Sequence, residues 1–188
     1  MNTNPKIRTV VFYKDYFKAF FSNQREKVQK KIIWTLELIQ ELDKVPETYL
    51  KHLENTDGLY EIRIQQGNDI FRLFCFFDKG KLIVIANGFQ KKTQKTPKKL
   101  QTLSEFKDDF YGKIGTEKRT AIEEGYQEFK LGALIHEARI EKGLTQEQLA
   151  EKCGTTKSYI SKIENNIKEV RFSTLQKIVE CGLGGKLE

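Results

Sequence analysis

The sequence predicts an α+β chain in two parts: an antiparallel sheet with helices on one face, ordered β-α-α-β-β-β, and then an all-α segment. Three observations carry this. Strand-like runs with period-two alternation are confined to the first hundred residues. After Leu100 the apolar residues recur at helical spacing only. The charge divides at the same place: residues 1–99 hold 19 Lys and Arg against 11 Asp and Glu, net +8, whereas residues 100–188 hold 14 against 15, net −1. The whole chain carries +7, so its basic excess sits entirely in the first half. That asymmetry points to two domains with different partners, one of them a polyanion. The expected boundaries are 1–99 for the sheet domain, 100–128 for a connecting arm and 129–188 for the helical domain.

The elements follow in order. Ile7 to Tyr13 is β-branched and aromatic and reads as a strand. A short helix is expected from Asp15 to Phe21. A longer one is expected from Gln24 to Leu42, where Val28, Ile32, Leu36, Ile39 and Leu42 recur at helical spacing. Pro46 breaks it, and a weak helix is expected over Glu47 to Leu53. Three strands follow, Leu59 to Gln65, Ile70 to Phe77 and Lys81 to Gly88. The turn clusters Gln66-Gly67-Asn68-Asp69 and Asp78-Lys79-Gly80 join them as antiparallel hairpins. Residues 91–99 hold five lysines and no large apolar side chain, so they are a solvated loop or a phosphate-contacting surface. Gln101 to Tyr111 reads as a short helix with Leu103, Phe106 and Phe110 on one face. A helix from Glu117 to about Lys142 is expected to break near Gly125 or Gly132.

Several function classes are excluded. No run approaches the roughly 20 apolar residues of a membrane span. The start, MNTNPKIRTV, lacks a secretion-type apolar region, so the expected location is the cytoplasm. Three widely spaced cysteines, Cys75, Cys153 and Cys181, read as free, mostly buried thiols. With only two histidines, a finger-type zinc site is not expected, and neither metal nor cofactor is called for.

The last sixty residues have specific spacing. Leu131, Leu134, Ile135 and Ala138 make an apolar stripe on a helix that ends before Gly143. Thr145 caps the next helix, and Gln148 three residues on completes a capping box. Cys153-Gly154-Thr155 is a tight turn with glycine at the left-handed position. Thr156 caps the helix Lys157 to Glu164, on which Ile160 and Ile163 face inward. A further helix, about Ser173 to Glu180, supplies Leu175, Ile178 and Val179. Two helices joined by so short a turn, the second polar on its outer face, fit a helix-turn-helix. The run LTQEQLAEKCGTTKSYISKIEN closely resembles the Cro/repressor-like (Xre) family. The resemblance implies that Gln146 bonds a backbone phosphate of operator DNA. It also implies that Thr156, Lys157, Ser158, Ser161 and Lys162 face the major groove, with Asn165 closing the same surface. It implies a homodimer on a palindromic site.

In the first half, alternation places Tyr60, Ile62 and Ile64 on one face of a strand and Glu61 and Arg63 on the other. Arg72 alternates away from Phe71, Leu73 and Cys75. Arg63 and Arg72 are therefore expected on the sheet face without helices, with Lys91, Lys92 and Lys95 following. Five cations there could hold a phosphodiester; the plainer alternative is a solvated charged face. The runs LYEIRI and DIFRLFCFFDKGKLIVIANGFQKKTQKTPKK resemble the RelE/ParE toxin superfamily, in its HigB-like, phage-derived branch. That resemblance implies cleavage of messenger RNA on the ribosome, without metal, by attack of a 2′-hydroxyl on the adjacent phosphate. Arg63 and Arg72 would stabilise the phosphate. Lys91, Lys92 and Lys95 would bind RNA, one of them serving as base. His52 is a weaker candidate for the base, in the segment expected to be helical.

In that branch a basic helix follows TPKK. Here LSEFKDDFYGKIGTEKR instead resembles the N-terminal arm of a HigA-type antitoxin. The chain therefore reads as a toxin–antitoxin module in one chain. A ribonuclease domain would be neutralised by a segment that also binds operator DNA and represses transcription. The alternative is a DNA-binding regulator whose sheet domain binds without catalysing.

Overall fold

The computed structural model describes residues 6–13, 15–67, 69–85, 101–165 and 170–186. They form two compact units, Met1–Ile122 and Glu123–Glu188. The class is α+β: a sheet with helices, then helices alone.

The first unit runs β1 (Thr9–Phe12), α1 (Tyr16–Ser22), α2 (Glu26–Glu41), β2 (Leu50–His52), β3 (Leu59–Gln66), β4 (Asp69–Asp78), β5 (Lys81–Ile85), β6 (Gln101–Thr102), α3 (Leu103–Tyr111) and α4 (Glu117–Glu123). The six strands lie in the order β2-β3-β4-β5-β1-β6. The sheet is mixed rather than antiparallel, because β1 pairs parallel with β5. The reason lies in where β1 ends up. It is an inner strand with β5 on one side and β6 on the other, and Val10, Val11 and Phe12 are all buried. Burial on both faces is what its unbroken apolar run reflects. The expected helix after Pro46 is instead strand β2, paired antiparallel with β3.

One core holds this unit together. Ile62, Ile64, Leu73, Cys75, Leu82 and Val84 present one face of the sheet to Phe17 and Phe21 of α1 and to Val28, Ile32, Leu36 and Ile39 of α2. Arg8 ties β1 to the end of α2 by donating to the carbonyls of Ile39 (2.6 Å), Leu42 (2.8 Å) and Asp43 (2.6 Å). These carbonyls have no partner within the helix.

Residues 101–122 are built into the same core. Strand β6 pairs with β1, and Thr102 caps α3 through a capping box with Glu105. Phe106 is 1% exposed, with its ring centroid 5.0 Å from Phe12, 4.9 Å from Phe17 and 5.2 Å from Phe21. Lys107 pairs with Glu37 of α2 where both are largely buried. The Trp34 indole donates to the Ile122 carbonyl at 2.8 Å. Residues 101–122 of the segment expected as an arm are therefore part of the first hydrophobic core, while 123–128 fall in the second unit.

In the second unit α5 (Tyr126–Glu141), α6 (Gln146–Cys153), α7 (Lys157–Glu164) and α8 (Phe172–Gln176) are followed by a π-helical turn, Lys177–Gly182. The expected long helix breaks at Gly125, where φ is +86°, and runs on through Gly132. Glycine inside a helix costs about 1 kcal/mol relative to alanine. Here it permits close approach: a Cβ on Gly132 would lie 2.5 Å from the Ile163 carbonyl oxygen of α7. Ile135, Leu149, Ile160, Ile163 and Ile178 form the core. Leu134, expected in the stripe, is 43% exposed. Cys75 and Cys153 are buried and free, while Cys181 is exposed. Burial pushes the Cys75 thiol up to about 12.

Candidate nucleic-acid interfaces on the two units

On the first unit, strand alternation decides which side chains leave the core. Ile62, Ile64 and Leu73 face the helices, so Glu61, Arg63 and Arg72 face away. Arg63 and Arg72 are register partners across β3 and β4. Like charges directly opposite one another destabilise a sheet. Glu61 offsets this. Its side chain is 4% exposed, and one oxygen accepts from the Arg63 Nε at 2.6 Å. The other lies 3.7 Å from the Arg72 Nε. A single carboxylate thus sits between two guanidinium groups and leaves a net positive charge. The Arg72 side chain is 58% exposed and that of Arg63 36%, so both retain donors toward solvent. Two forked cations fixed side by side suit an oxyanion with several acceptor oxygens.

Sequence reasoning placed the two arginines together and missed Glu61 as their shared counterion. The signal was its position two residues before Arg63, on the same strand face. Lys91, Lys92 and Lys95 lie outside the described residues. His52 is in strand β2, paired with Tyr60, and its ring packs against Tyr60 with centroids 4.9 Å apart. Tyr60 packs against the helical side, so His52 does not join the arginines. Among the described residues no group of three His, Cys, Asp or Glu side chains is placed to hold a metal ion.

On the second unit, local sequence sets α6 and α7. Thr145 and Gln148 complete a capping box, and Gly154 ends α6 at φ +63°. Thr156 then caps α7 by accepting from the Tyr159 N–H at 3.2 Å. With Ile160 and Ile163 buried, the outer face of α7 carries Lys157, Ser158 and Lys162, exposed, and Ser161, half-buried. Thr156 and Asn165 are exposed at its two ends. Six of the seven residues expected to contact DNA therefore share one short helix and its caps.

The seventh, Gln146, is engaged elsewhere. Its amide donates to Glu164 at 2.8 Å. Glu164 is a buried carboxylate at the end of α7 and the centre of a small network. Arg139 of α5 donates to it at 2.5 and 3.0 Å and also reaches the Leu144 carbonyl at 2.6 Å. The His136 Nδ1 lies 3.0 Å from Glu164 and 3.3 Å from Arg139. Only one of these two contacts can be a hydrogen bond, because Nδ1 either carries its proton or offers a lone pair. We assign the proton to Nδ1, donating to Glu164, since that contact is shorter. Burial alone raises the Glu164 carboxyl. The bonds from His136, Arg139 and Gln146, with the Arg139 charge, outweigh it and hold the group down at about 2. This network joins α5, the start of α6 and the end of α7. It therefore sets how the polar face of α7 is presented.

Comparison with known proteins fits this division. Residues 19–106 match the family described as phage derived protein Gp49-like, and residues 135–181 match the helix-turn-helix family. Among solved structures, the chain is similar to the restriction-modification controller protein C.Esp1396I in its wild-type triclinic form. The identity is 36% over 32% of this chain and 78% of that one, with a TM-score of 0.31. A point mutant of the same protein is 38% identical over 31% of this chain and 74% of its own, with a TM-score of 0.30. No curated protein matches the chain. A Gp49-like domain is thus followed by a helix-turn-helix domain. No helix among the described residues is long and apolar enough to cross a membrane.

Proposed function

We propose that the chain is a type II toxin–antitoxin module in one polypeptide, acting in the cytoplasm. Its first unit is a metal-independent endoribonuclease of the RelE/HigB kind that cleaves messenger RNA on the ribosome. Its second unit binds operator DNA as a dimer, represses transcription of its own gene and restrains the first. The observation that carries this reading is the Arg63–Glu61–Arg72 cluster on an open sheet face, in a chain that also holds a helix-turn-helix. The match to a phage-derived Gp49-like family supports it, because that is a RelE/HigB-type toxin family.

In the reaction a 2′-oxygen bonds to the neighbouring phosphorus and the bond from phosphorus to the 5′-oxygen breaks. The 2′-hydroxyl proton goes to a base, and the leaving 5′-oxygen takes a proton. Negative charge grows on the phosphoryl oxygens, where Arg63 and Arg72 stabilise it. Lys91, Lys92 or Lys95 supplies the base. On the second unit, Thr156, Lys157, Ser158, Ser161, Lys162 and Asn165 meet the major groove and flanking phosphates. Gln146 joins them by exchanging Glu164 for a phosphate.

Restraint falls to the second unit in this reading. Residues 101–122 pack on the helical side and leave both arginines open. Induced expression of residues 1–122 should therefore arrest growth, the full chain should not, and Arg72→Ala in the shorter chain should restore growth. A folded 1–122 chain as harmless as the full one would contradict the toxin assignment.

A second reading has one observation in its favour. Both Glu61 oxygens are engaged and buried, so the described part of the arginine face offers no free base. The first unit would then be a binding module attached to a DNA-binding regulator.

A further inference from the structure

Strand β2, unexpected from sequence, brings a third cation onto the arginine face. Lys51 is the register partner of Glu61, and partners directly opposite in an antiparallel pair share a face. On the other side of Glu61 the register partner is Phe74 of β4. A row Lys51–Glu61–Phe74 therefore lies beside the row Arg63–Arg72. Both Glu61 oxygens already serve the arginines, and among the described residues no ion pair within 4.0 Å involves Lys51. Phe74 and, two residues further along, Phe76 are half-buried on this face, the one turned away from α1 and α2. Among the described residues neither ring is paired with another aromatic ring. Three cations thus surround one buried carboxylate, with apolar rings one strand spacing and one side-chain repeat away, on the order of 5–7 Å.

Sites for single-stranded nucleic acid combine these two elements: cations that follow the backbone and ring faces on which unpaired bases stack. Double helices keep their bases stacked internally and offer none to such a ring. We propose that Lys51 and Phe74 extend the arginine pair into a subsite for single-stranded RNA. Lys51 holds a phosphate flanking the one at Arg63 and Arg72, and the Phe74 ring takes an adjoining base. This rests on the RNA reading of the first unit.

The test is anisotropy of the full chain with short, labelled, 2′-O-methyl single-stranded RNA, which cannot be cleaved. Excess unlabelled duplex DNA occupies the second unit. Lys51→Gln should weaken binding and reduce the slope of log affinity against log salt by about 0.7, the value for one phosphate contact on a single strand. Phe74→Leu should weaken binding roughly tenfold without changing that slope, and Phe74→Tyr should restore it. On abasic RNA, Phe74→Leu and the unaltered chain should bind alike. Lys79→Gln, in the exposed β4–β5 turn, should have no effect. Unchanged affinity in Phe74→Leu, or an unchanged slope in Lys51→Gln, overturns the subsite. Arg72→Ala separates the two levels. If it too binds as tightly as the unaltered chain, the RNA reading itself fails. If it alone weakens binding, only the subsite fails.

Discussion

Phe106→Ala should lower the stability of the first unit by about 3–5 kcal/mol, the range for truncating a fully buried aromatic ring. The ring is 1% exposed and touches the rings of Phe12, Phe17 and Phe21, which come from one strand and one helix at the opposite end of the unit's sequence. Those three side chains are held by β1 and α1 and cannot collapse into the space without moving both. The hole therefore stays open, and its cost adds to the lost burial. Trp34 is the only tryptophan in the chain, so denaturant unfolding followed by its fluorescence reports this unit alone. Ser104→Ala, at an exposed position of the same helix, should stay within about 0.5 kcal/mol of the parent. A Phe106→Ala shift below 1 kcal/mol would mean that α3 is an accessory rather than a part of the core. The same packing means that a chain ended before β6 lacks Leu103 and Phe106 from its core.

Glu164→Ala should cost the second unit about 3–5 kcal/mol and abolish specific DNA binding, because it leaves Arg139 buried without a counter-charge. Arg139 is itself 5% exposed and has no other carboxylate within 4.0 Å among the described residues. Helix α7 loses its hydrogen bonds to His136 and Arg139 of α5 and to Gln146 of α6 at once. The pH dependence has a definite sign. The folded carboxyl is held at about 2, below the ordinary 4.5, so the unfolded chain binds the proton more readily. The stabilisation is complete above about pH 5 and is lost as the pH falls from there through about 2. Far-ultraviolet circular dichroism of thermal unfolding across that window should show the loss in the parent chain and a flatter profile in Glu164→Gln. Glu151→Ala, exposed on α6, should change neither stability nor DNA binding by much. An Ala variant as stable as the parent would mean that the network does not orient α7.

What was legible from sequence was mostly local. The capping box at Thr145 and Gln148, the left-handed Gly154 and the inward Ile160 and Ile163 are set by neighbours a few residues away, and all appear as expected. Arg63 and Arg72 share a face because period-two alternation and a short hairpin place them there. What was missed depends on distant partners. Residues 47–53 have too little apolar pattern to declare a strand, and β2 exists because Leu50 meets Ile62 and Lys51 meets Glu61. The parallel pairing of β1 with β5 is a contact across seventy residues that no local rule reports. The destination of Phe106 is equally non-local: its helical spacing was visible, but not that its stripe would be buried among Phe12, Phe17 and Phe21. The resemblance points Gln146 at a phosphate, whereas its partner here, Glu164, comes from eighteen residues further along.

The proposed joining, in one chain, of an RNA-cleaving unit to a DNA-binding one depends on the arginine pair as the cleaving unit's phosphate clamp. Its most direct test uses purified ribosomes carrying a defined message and programmed with an open A site, with cleavage mapped by primer extension. Residues 1–122 should cut the message within the A-site codon without added metal beyond that holding the ribosome together. Arg72→Ala in the same folded chain should lower the rate by about 100-fold or more, the range for losing one preorganised donor to a developing oxyanion. Cleavage that persists unchanged in Arg72→Ala, or a folded chain that binds the ribosome and leaves the message whole, would contradict the assignment.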